Sequence, residues 1–322
     1  HEVHVAPFFS ETTWRILYSD GKWLRKMLGI SSGFLRRASL LFKVRQYDSI
    51  LVHREESPFG FPFISFAIAM VFKKRLIFDF DDAVWLPNVS RGNRLFRWMK
   101  GHHNVIRLMK WANTCVGGNE YLCDFARKYC GDVVYLPSVV SMSQRHRDSK
   151  KEKSNKQLNI CWTGSHSTIQ YLKLIEGAMK EWTNRGHQIF IISDQKPQFT
   201  SFPFHWVKWN KEIEISSLKN MDVGVMPLPN EEWVKGKCGF KLIQYMSMGV
   251  IPIATSVGVN TSLLGEKRGV LISNPLDWQK LPSKVHELED MNRISEAGQM
   301  FIKANFSRQS QLDNFLHLFT VN

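Results

Sequence analysis

The chain has 322 residues, long for one domain and comfortable for two of roughly 150 residues each. Its 43% hydrophobic and 22% charged residues exclude a chain disordered throughout and supply enough apolar surface for real cores. With 43 Lys and Arg against 29 Asp and Glu, the formal charge of +14 suits polyanionic partners such as nucleic acid, anionic lipid headgroups or phosphorylated substrates, and composition does not rank these against a merely solvated basic surface.

The opening residues, His1-Glu2-Val3-His4-Val5-Ala6-Pro7-Phe8-Phe9, alternate like a strand already in progress. No initiator Met and no signal peptide are read there, and the expectation is that an earlier strand–loop–helix unit is missing. Ser49–His53 reads as a strand. The apolar run from Phe59 to Phe72 is too short to span a bilayer and fits a buried helix over Pro62–Phe72. Arg75–Phe80 is a strand ending in acid, Arg94–Trp111 a helix, Thr114–Gly117 a short strand, Glu120–Tyr129 a helix and Val133–Pro137 a strand. Residues 141–157, SMSQRHRDSKKEKSNKQ, are polar and basic without an apolar period, which marks a linker and the domain boundary near residue 150.

A second alternating series follows. Leu158–Trp162, Gln188–Ile192, Val223–Pro227, Val250–Ala254 and Gly269–Ile272 read as strands. Ser167–Thr183, Glu214–Lys219, Phe240–Met248, Trp278–Glu289, Ile294–Ala304 and the tail Gln309–Leu318 read as helical. Strand and helix alternating in this way predict an α/β chain with parallel sheets covered on both faces, and a ligand cleft beyond the carboxyl ends of the strands. The five cysteines, Cys115, Cys123, Cys130, Cys161 and Cys238, form no C-x-x-C and fit no disulfide framework, so they read as reduced thiols in a cytoplasmic protein.

Four segments can carry chemistry. Trp162-Thr163-Gly164-Ser165-His166-Ser167-Thr168 follows a strand and opens a helix, where glycine allows close approach and hydroxyls and helix amides suit a phosphate; a plain N-cap by Ser167 or Thr168 is the alternative. Lys235-Gly236-Lys237-Cys238-Gly239-Phe240-Lys241 runs into the next helix. On a helical wheel Lys237, Lys241 and Gln244 share a side, and two ammonium groups with two glycines suit a pyrophosphate. Solvated surface lysines are the alternative. Asp79-Phe80-Asp81-Asp82 closes a strand, in the manner of a metal site or a general acid/base, or with Asp82 as an N-cap. His53 ends the preceding strand at the same sheet edge as Asp81.

At these residues a resemblance emerges. YDSILVHREESPFG, LIFDFDDAVW, VGGNEYLCDFARKYCGDVVYLP, WTGSHSTIQYLK, DVGVMPLP and KGKCGFKLIQYMSMGVIPIATSVGVN, in that order from about Tyr47 to about Phe306, resemble family-4 retaining glycosyltransferases of the bacterial branch that builds surface polysaccharides and other glycoconjugates. The resemblance implies a GT-B fold, two Rossmann-like domains facing each other across a cleft: residues 1–150 on the acceptor side, 151–305 holding the nucleotide sugar, and 306–322 a last helix packing back on the first domain. It implies no metal and no cofactor beyond the nucleotide diphosphate sugar used as donor substrate. It sets Gly164, Ser165 and Thr168 near the donor phosphates and Lys237 and Lys241 at the diphosphate, with Gly239 and Phe240 at the start of that helix. Trp209 and Glu214 fall near base and ribose. Asp81 stands where many relatives have a histidine near the transferred sugar. Gln244 stands where they have the second glutamate of an E-x7-E motif, and Gly236 where they have the first.

The expected activity is hexosyl transfer, with retention, to a sugar or lipid-linked acceptor, with Asp81 and His53 positioning sugar and acceptor and the lysines neutralising the leaving diphosphate. Arg94, Arg97, Lys100 and Lys110 on one helix would suit an anionic membrane face of a cytoplasmic, peripheral enzyme. The rival readings are a catalytically silent nucleotide-sugar-binding subunit and an epimerase or phosphorylase on the same fold. No nucleic-acid partner is expected, because aromatic residues are not interleaved with the basic run at Arg145–Lys156.

Overall fold

The computed structural model describes residues 2–17, 21–57, 60–86, 102–143, 157–265, 267–284 and 291–320. The expected domain boundary near residue 150 and the basic side chains Arg94, Arg97 and Lys100 lie outside them. Two compact units divide the chain, His1–Leu136 with Leu318–Asn322, and Pro137–His317.

The first unit opens with a correction. Residues 2–7 form no strand; Val3 and Val5 alternate in sequence but both stand exposed, and alternation without a neighbouring strand leaves the backbone nothing to pair with. Two helices not read from the sequence follow, α1 (Glu11–Leu17) and α2 (Trp23–Leu40). The side of α2 bearing Gly29 and Gly33 lies on Thr13 and Phe8. Arg36 Nη2 donates to the Phe8 carbonyl at 2.6 Å and Arg37 Nε to the Glu56 carbonyl at 3.0 Å. Its apolar arc of Trp23, Leu24, Met27, Leu28 and Leu35 is consequently turned to solvent.

Strand β1 (Ser49–His53) is followed by α3 (Phe63–Phe66), which passes directly into a π-helical turn over Ala67–Val71. This apolar segment is not the buried helix expected. Ser65 and Ile68 turn inward, while Phe63 and Val71 are 68% and 67% exposed. The buried carboxylate of Glu56 anchors its start by accepting from the Ser65 amide at 2.6 Å and the Ile64 amide at 3.2 Å; burial pushes that carboxyl's pKa up. Then come β2 (Arg75–Phe80), α4 (His102–Trp111), β3 (Thr114–Gly117), α5 (Glu120–Ala126) and β4 (Val133–Tyr135). Asn119 caps α5, its side chain accepting from the Leu122 amide at 2.9 Å. The four strands form a parallel sheet in the order β1-β2-β3-β4. Leu318 is buried with Ile77 and Val116 of that sheet.

The second unit runs β5 (Asn159–Gly164), α6 (Glu176–Asn184), β6 (Gln188–Ser193), β7 (His205–Lys208), α7 (Glu214–Lys219), β8 (Val223–Met226), α8 (Glu232–Lys235) and α9 (Phe240–Ser247). It continues with β9 (Ile251–Thr255), α10 (Asn260–Leu264), β10 (Val270–Ile272), α11 (Asp277–Lys284), α12 (Met291–Asn305) and α13 (Arg308–His317). The helix expected from Ser167 is in fact a 3-10 segment, Ile169–Ile175, that leads into α6. All six strands are parallel, in the order β10-β9-β8-β5-β6-β7.

Side chains of a strand alternate between faces. Ile160 and Trp162 of β5 therefore join a core with Met179 and Trp182 of α6 and Trp278 of α11. Cys161 joins the opposite core with Leu242, Ile243 and Met246 of α9 and Ile302 of α12. All five cysteines are free and buried.

The sheet order reverses between β5 and β8, and such a switch point is where open α/β sheets hold their ligands. Pairing of the two strands stops at Ile160↔Val223 and Cys161↔Gly224. Beyond it Tyr245 of α9 spans the gap: its hydroxyl accepts from the Thr163 amide at 3.0 Å and donates to the Val225 carbonyl at 3.4 Å. Gly224 is required there, since a Cβ would sit 2.5–2.7 Å from three atoms of the Tyr245 ring.

Candidate functional site

The loops that follow β5 and β8 flank this switch point. After β5, Gly164 lies against the Trp162 ring and the Thr168 hydroxyl, with Ser165 and Ser167 exposed and their hydroxyls 2.8 Å apart. Thr168 does not cap the segment that follows. Its hydroxyl donates to the Ser165 carbonyl at 3.1 Å, and no side chain caps that 3-10 start. The plain N-cap explanation of this loop therefore fails. A partner unread from the sequence holds the loop instead: Asp194 accepts from the His166 amide and from His166 Nδ1, each at 2.6 Å. The parallel register Gly164↔Ser193 puts Asp194 beside this loop, and that register was the available signal. The hydrogen bonds from His166, set against the cost of burial, hold the Asp194 carboxyl below the usual range.

After β8 the chain makes the short helix α8 and then turns into α9 through Gly239, whose φ of 67° lies in the left-handed region that favours glycine. Helix α9 starts only at Phe240, so Lys237 does not share a helical face with Lys241 and Gln244 as the wheel implied; it reaches the site from the turn. The two ammonium groups remain close enough to repel. Lys237 Nζ sits 3.9 Å from the centroid of the Trp233 ring, and Lys241 Nζ 5.1 Å from that of Trp162. Lys241 has no carboxylate partner among the described residues. Part of its side chain stays exposed, yet the protein packed around the ammonium pushes its pKa down, and the charge of Lys237 adds to this, bringing it to about 7.

One turn further along α9, Gln244 is buried and its amide donates to Glu214 Oε1 at the start of α7. Trp209, just beyond β7, is 41% exposed and tied by its amide to the Ser193 carbonyl at 2.9 Å. Phe240 is likewise exposed. Gly164, Ser165, Thr168, Lys237, Gly239, Lys241, Gln244, Glu214 and Trp209 thus all lie in the second unit: Gly164 ends β5, Gln244 is one turn into α9, and the others are on loops or helix starts that follow its strands.

Asp81 and His53 lie in the first unit and are described there. Register pairs His53 with Asp79, and His53 Nδ1 meets Asp79 Oδ2 at 2.6 Å, while Nε2 stands 3.9 Å from Asp81 Oδ1. The hydrogen bond to Asp79 raises the His53 pKa above its ordinary value, against the pull of burial. Arg54, which the sequence did not single out, organises the cluster. Its φ of 60° is unusual for a residue with a Cβ, and it turns the guanidinium onto both oxygens of Asp81, Nη2 donating to Oδ2 at 2.8 Å, and onto Asp82 at 3.0 Å. Burial pushes Asp81 up, but the hydrogen bond and charge of Arg54, with His53, leave it below the usual carboxylate range. These carboxylates are engaged by cationic side chains, and among the described residues no group of three or more His, Cys, Asp and Glu is placed to hold a metal ion.

No family model matches the chain, and no curated protein does. Solved structures do match. Sucrose-phosphate synthase from Thermosynechococcus elongatus superposes with a TM-score of 0.66 at 13% identity, over 89% of this chain and 78% of that one. HepE from Anabaena, in complex with UDP-glucose, gives 0.64 at 9% identity over 88% and 82%. A glycosyltransferase from Rickettsia africae gives 0.64 at 12% identity over 94% and 82%. With its two all-parallel sheets and this likeness across nearly nine-tenths of its length, the chain has the GT-B fold, built on Rossmann-like domains.

Proposed function

We propose that this chain is a glycosyltransferase that moves a hexosyl group from a nucleotide diphosphate sugar to a sugar or lipid-linked acceptor, with retention and without a metal, in the building of bacterial surface polysaccharide. The observation that carries the reading is the pair Lys237 and Lys241 beside the switch point, each ammonium set over an indole and Lys241 without a carboxylate among the described residues. The charge of Lys237 disfavours the ammonium form of Lys241, so a dianion placed between the two relieves a cost already present. A departing diphosphate gains charge as the glycosidic bond to it breaks, and fixed cations stabilise that charge more in the transition state than in the bound donor. Structural neighbours that carry UDP-glucose, or UDP with glucose, support a nucleotide sugar as ligand. Retention and the roles of His53 and Asp81 in holding sugar and acceptor rest on the resemblance of six ordered sequence segments to family-4 enzymes.

Calorimetric titration with UDP-, GDP- and ADP-sugars, with and without EDTA, tests the reading. One nucleotide class binds, EDTA leaves the affinity unchanged, and transfer follows. An absence of heat with all three classes would sink the donor site, and binding without any turnover would favour a silent sugar-nucleotide-binding subunit.

A peripheral place on the cytoplasmic face of a membrane is part of the same proposal. Among the described residues no helix is long and apolar enough to cross a bilayer. Support comes from α2, which exposes Trp23, Leu24, Met27 and Leu28 next to Lys22 and Arg25, with no Asp or Glu between Gly21 and Tyr47. Sedimentation with vesicles should retain the protein on phosphatidylglycerol and not on phosphatidylcholine alone, and the double substitution Trp23→Ser, Leu24→Ser should release it. Indifference to lipid charge would count against a membrane role.

A further inference from the structure

The first unit buries two thiols against each other. Cys115, the second residue of β3, and Cys130, just beyond α5, are joined by a hydrogen bond between their side chains, with the proton held on Cys115. We propose that Cys115 and Cys130 form a reversible disulfide when the protein meets a hydroperoxide, a modification site that crosslinks the first unit. The site is independent of the donor reading.

The backbone fixes the meeting. Parallel register pairs Cys115 with Val133 of β4, and the Cys115 amide donates to the Asp132 carbonyl at 2.9 Å. Cys130 Sγ lies 3.2 Å from the same carbonyl oxygen, so both residues converge on one atom. Carbonyls at and just beyond the end of α4 close the other side. Met109 accepts from Cys115 Sγ at 3.9 Å, and Ala112 from Cys130 Sγ at 3.6 Å. Side chains that already meet satisfy the first demand of a disulfide, that its partners point at one another.

The two sulfurs are not equivalent. The hydrogen bond from Cys115, against the cost of burial and with help from the backbone at Asp132 and Cys115, lowers the pKa of Cys130. The same bond, and then burial, raises that of Cys115. Cys130 is also the more open, 7% exposed against 0%. Thiolate character and access mark the sulfur that a peroxide oxidises first, and a cysteine beside it resolves the product. Cys123 instead donates to the carbonyls of Gly117 and Val134, and burial pushes its pKa up to about 11.

With hydrogen peroxide the step balances. The Cys130 thiolate attacks one oxygen and becomes a sulfenic acid, while the other oxygen leaves as hydroxide and takes up a proton to give water. Cys115 then attacks the sulfenic sulfur. The S–O bond breaks, the hydroxyl leaves with the Cys115 proton as a second water, and the S–S bond forms. Two thiols are oxidised and one peroxide is reduced. The bond closes a loop of about fifteen residues around α5, a length at which a crosslink removes much of the freedom of the unfolded chain. The pair lies toward the amino ends of β3 and β4, whereas His53 and Asp81 stand at the carboxyl side of β1 and β2, so oxidation stabilises the unit without touching them.

The test treats the reduced full chain, freed of reductant, with a small excess of hydrogen peroxide. Alkylation under denaturing conditions and peptide mapping by mass spectrometry follow. Cys115 and Cys130 should appear as one linked pair lacking two hydrogens, with Cys123, Cys161 and Cys238 alkylated, and dithiothreitol should return all of them to thiols. The thermal midpoint of the oxidised protein should rise by about 5–10 °C. In Cys115→Ser, dimedone should trap Cys130 as its sulfenic acid, and in Cys130→Ser Cys115 should stay a thiol. Full alkylation of both cysteines in wild type, under peroxide that has already converted methionines to sulfoxides, would overturn the proposal and requires no variant to fold. Linkage of either cysteine to a different one would overturn it as well, and a midpoint that fails to rise would remove the stabilising role of the crosslink.

Discussion

Replacing Lys237 by alanine is expected to lower donor turnover about a hundred- to a thousandfold, the scale on which enzymes lose rate when one fixed group that stabilises developing negative charge is removed. Lys241→Met should do the same. The two lysines act on one diphosphate, so the double variant should cost much less than the product of the single losses. Lys237→Arg should recover only part of the rate. The guanidinium keeps the charge, but its planar fork does not occupy the compact place of an ammonium 3.9 Å above the Trp233 ring. Release of nucleoside diphosphate from the donor, followed with each variant at saturating donor, reads the effect. Full turnover in Lys237→Ala would remove the central element of the mechanism.

Donor diphosphate binding is also expected to take up protons above pH 7. The protein packed around Lys241, and then the charge of Lys237, hold its pKa at about 7 rather than 10.5. Below pH 7 the ammonium is charged before the ligand arrives, and this group adds no pH dependence. Above pH 7 the free protein carries a neutral amine, while the bound diphosphate favours the ammonium, so each binding event draws up to one proton and affinity falls up to about tenfold per pH unit. Stability responds in the opposite sense. In the unfolded chain the lysine keeps its proton up to its ordinary pKa near 10.5, so between pH 7 and 10.5 the unfolded state binds more protons. Stability from this residue therefore rises with pH across that window, and the cost of charging it is fully present below pH 7. Titration at pH 8 in buffers of different ionisation enthalpy should give a proton uptake near one for wild type and none for Lys241→Met. Equal heats in all buffers for wild type would show that Lys241 is already charged in the free protein.

Much of the fold was legible. Strands Ser49–His53, Arg75–Phe80 and Thr114–Gly117 coincide with their sequence-based bounds; the last two are largely buried and read as plain apolar runs between turn residues, as parallel strands covered on both faces do. The edge strand His205–Lys208 escaped, since its two ends are exposed and its apolar pair is too short to show a period. Helix α2 escaped because Gly29, Ser31, Ser32 and Gly33 interrupt it, and its apolar residues turn outward rather than to a core. The opening Val3 and Val5 misled in the other direction: alternation specifies a strand only where a neighbour supplies its hydrogen bonds.

What the sequence determined by itself was local: strand and helix in alternation, glycines where the backbone must turn, and two lysines beside a helix start. Those features depend on residue type and near neighbours, and so survive without the rest of the chain. What tertiary structure alone decided was the state of each polar group. That Asp194 grips His166, that Arg54 binds Asp81 and Asp82, and that Gln244 serves Glu214 all depend on side chains brought together from distant segments. That the Lys241 amine loses its proton near neutral pH depends on how much water the fold removes from around it, and removal of water has no signature in the residue or its neighbours along the chain.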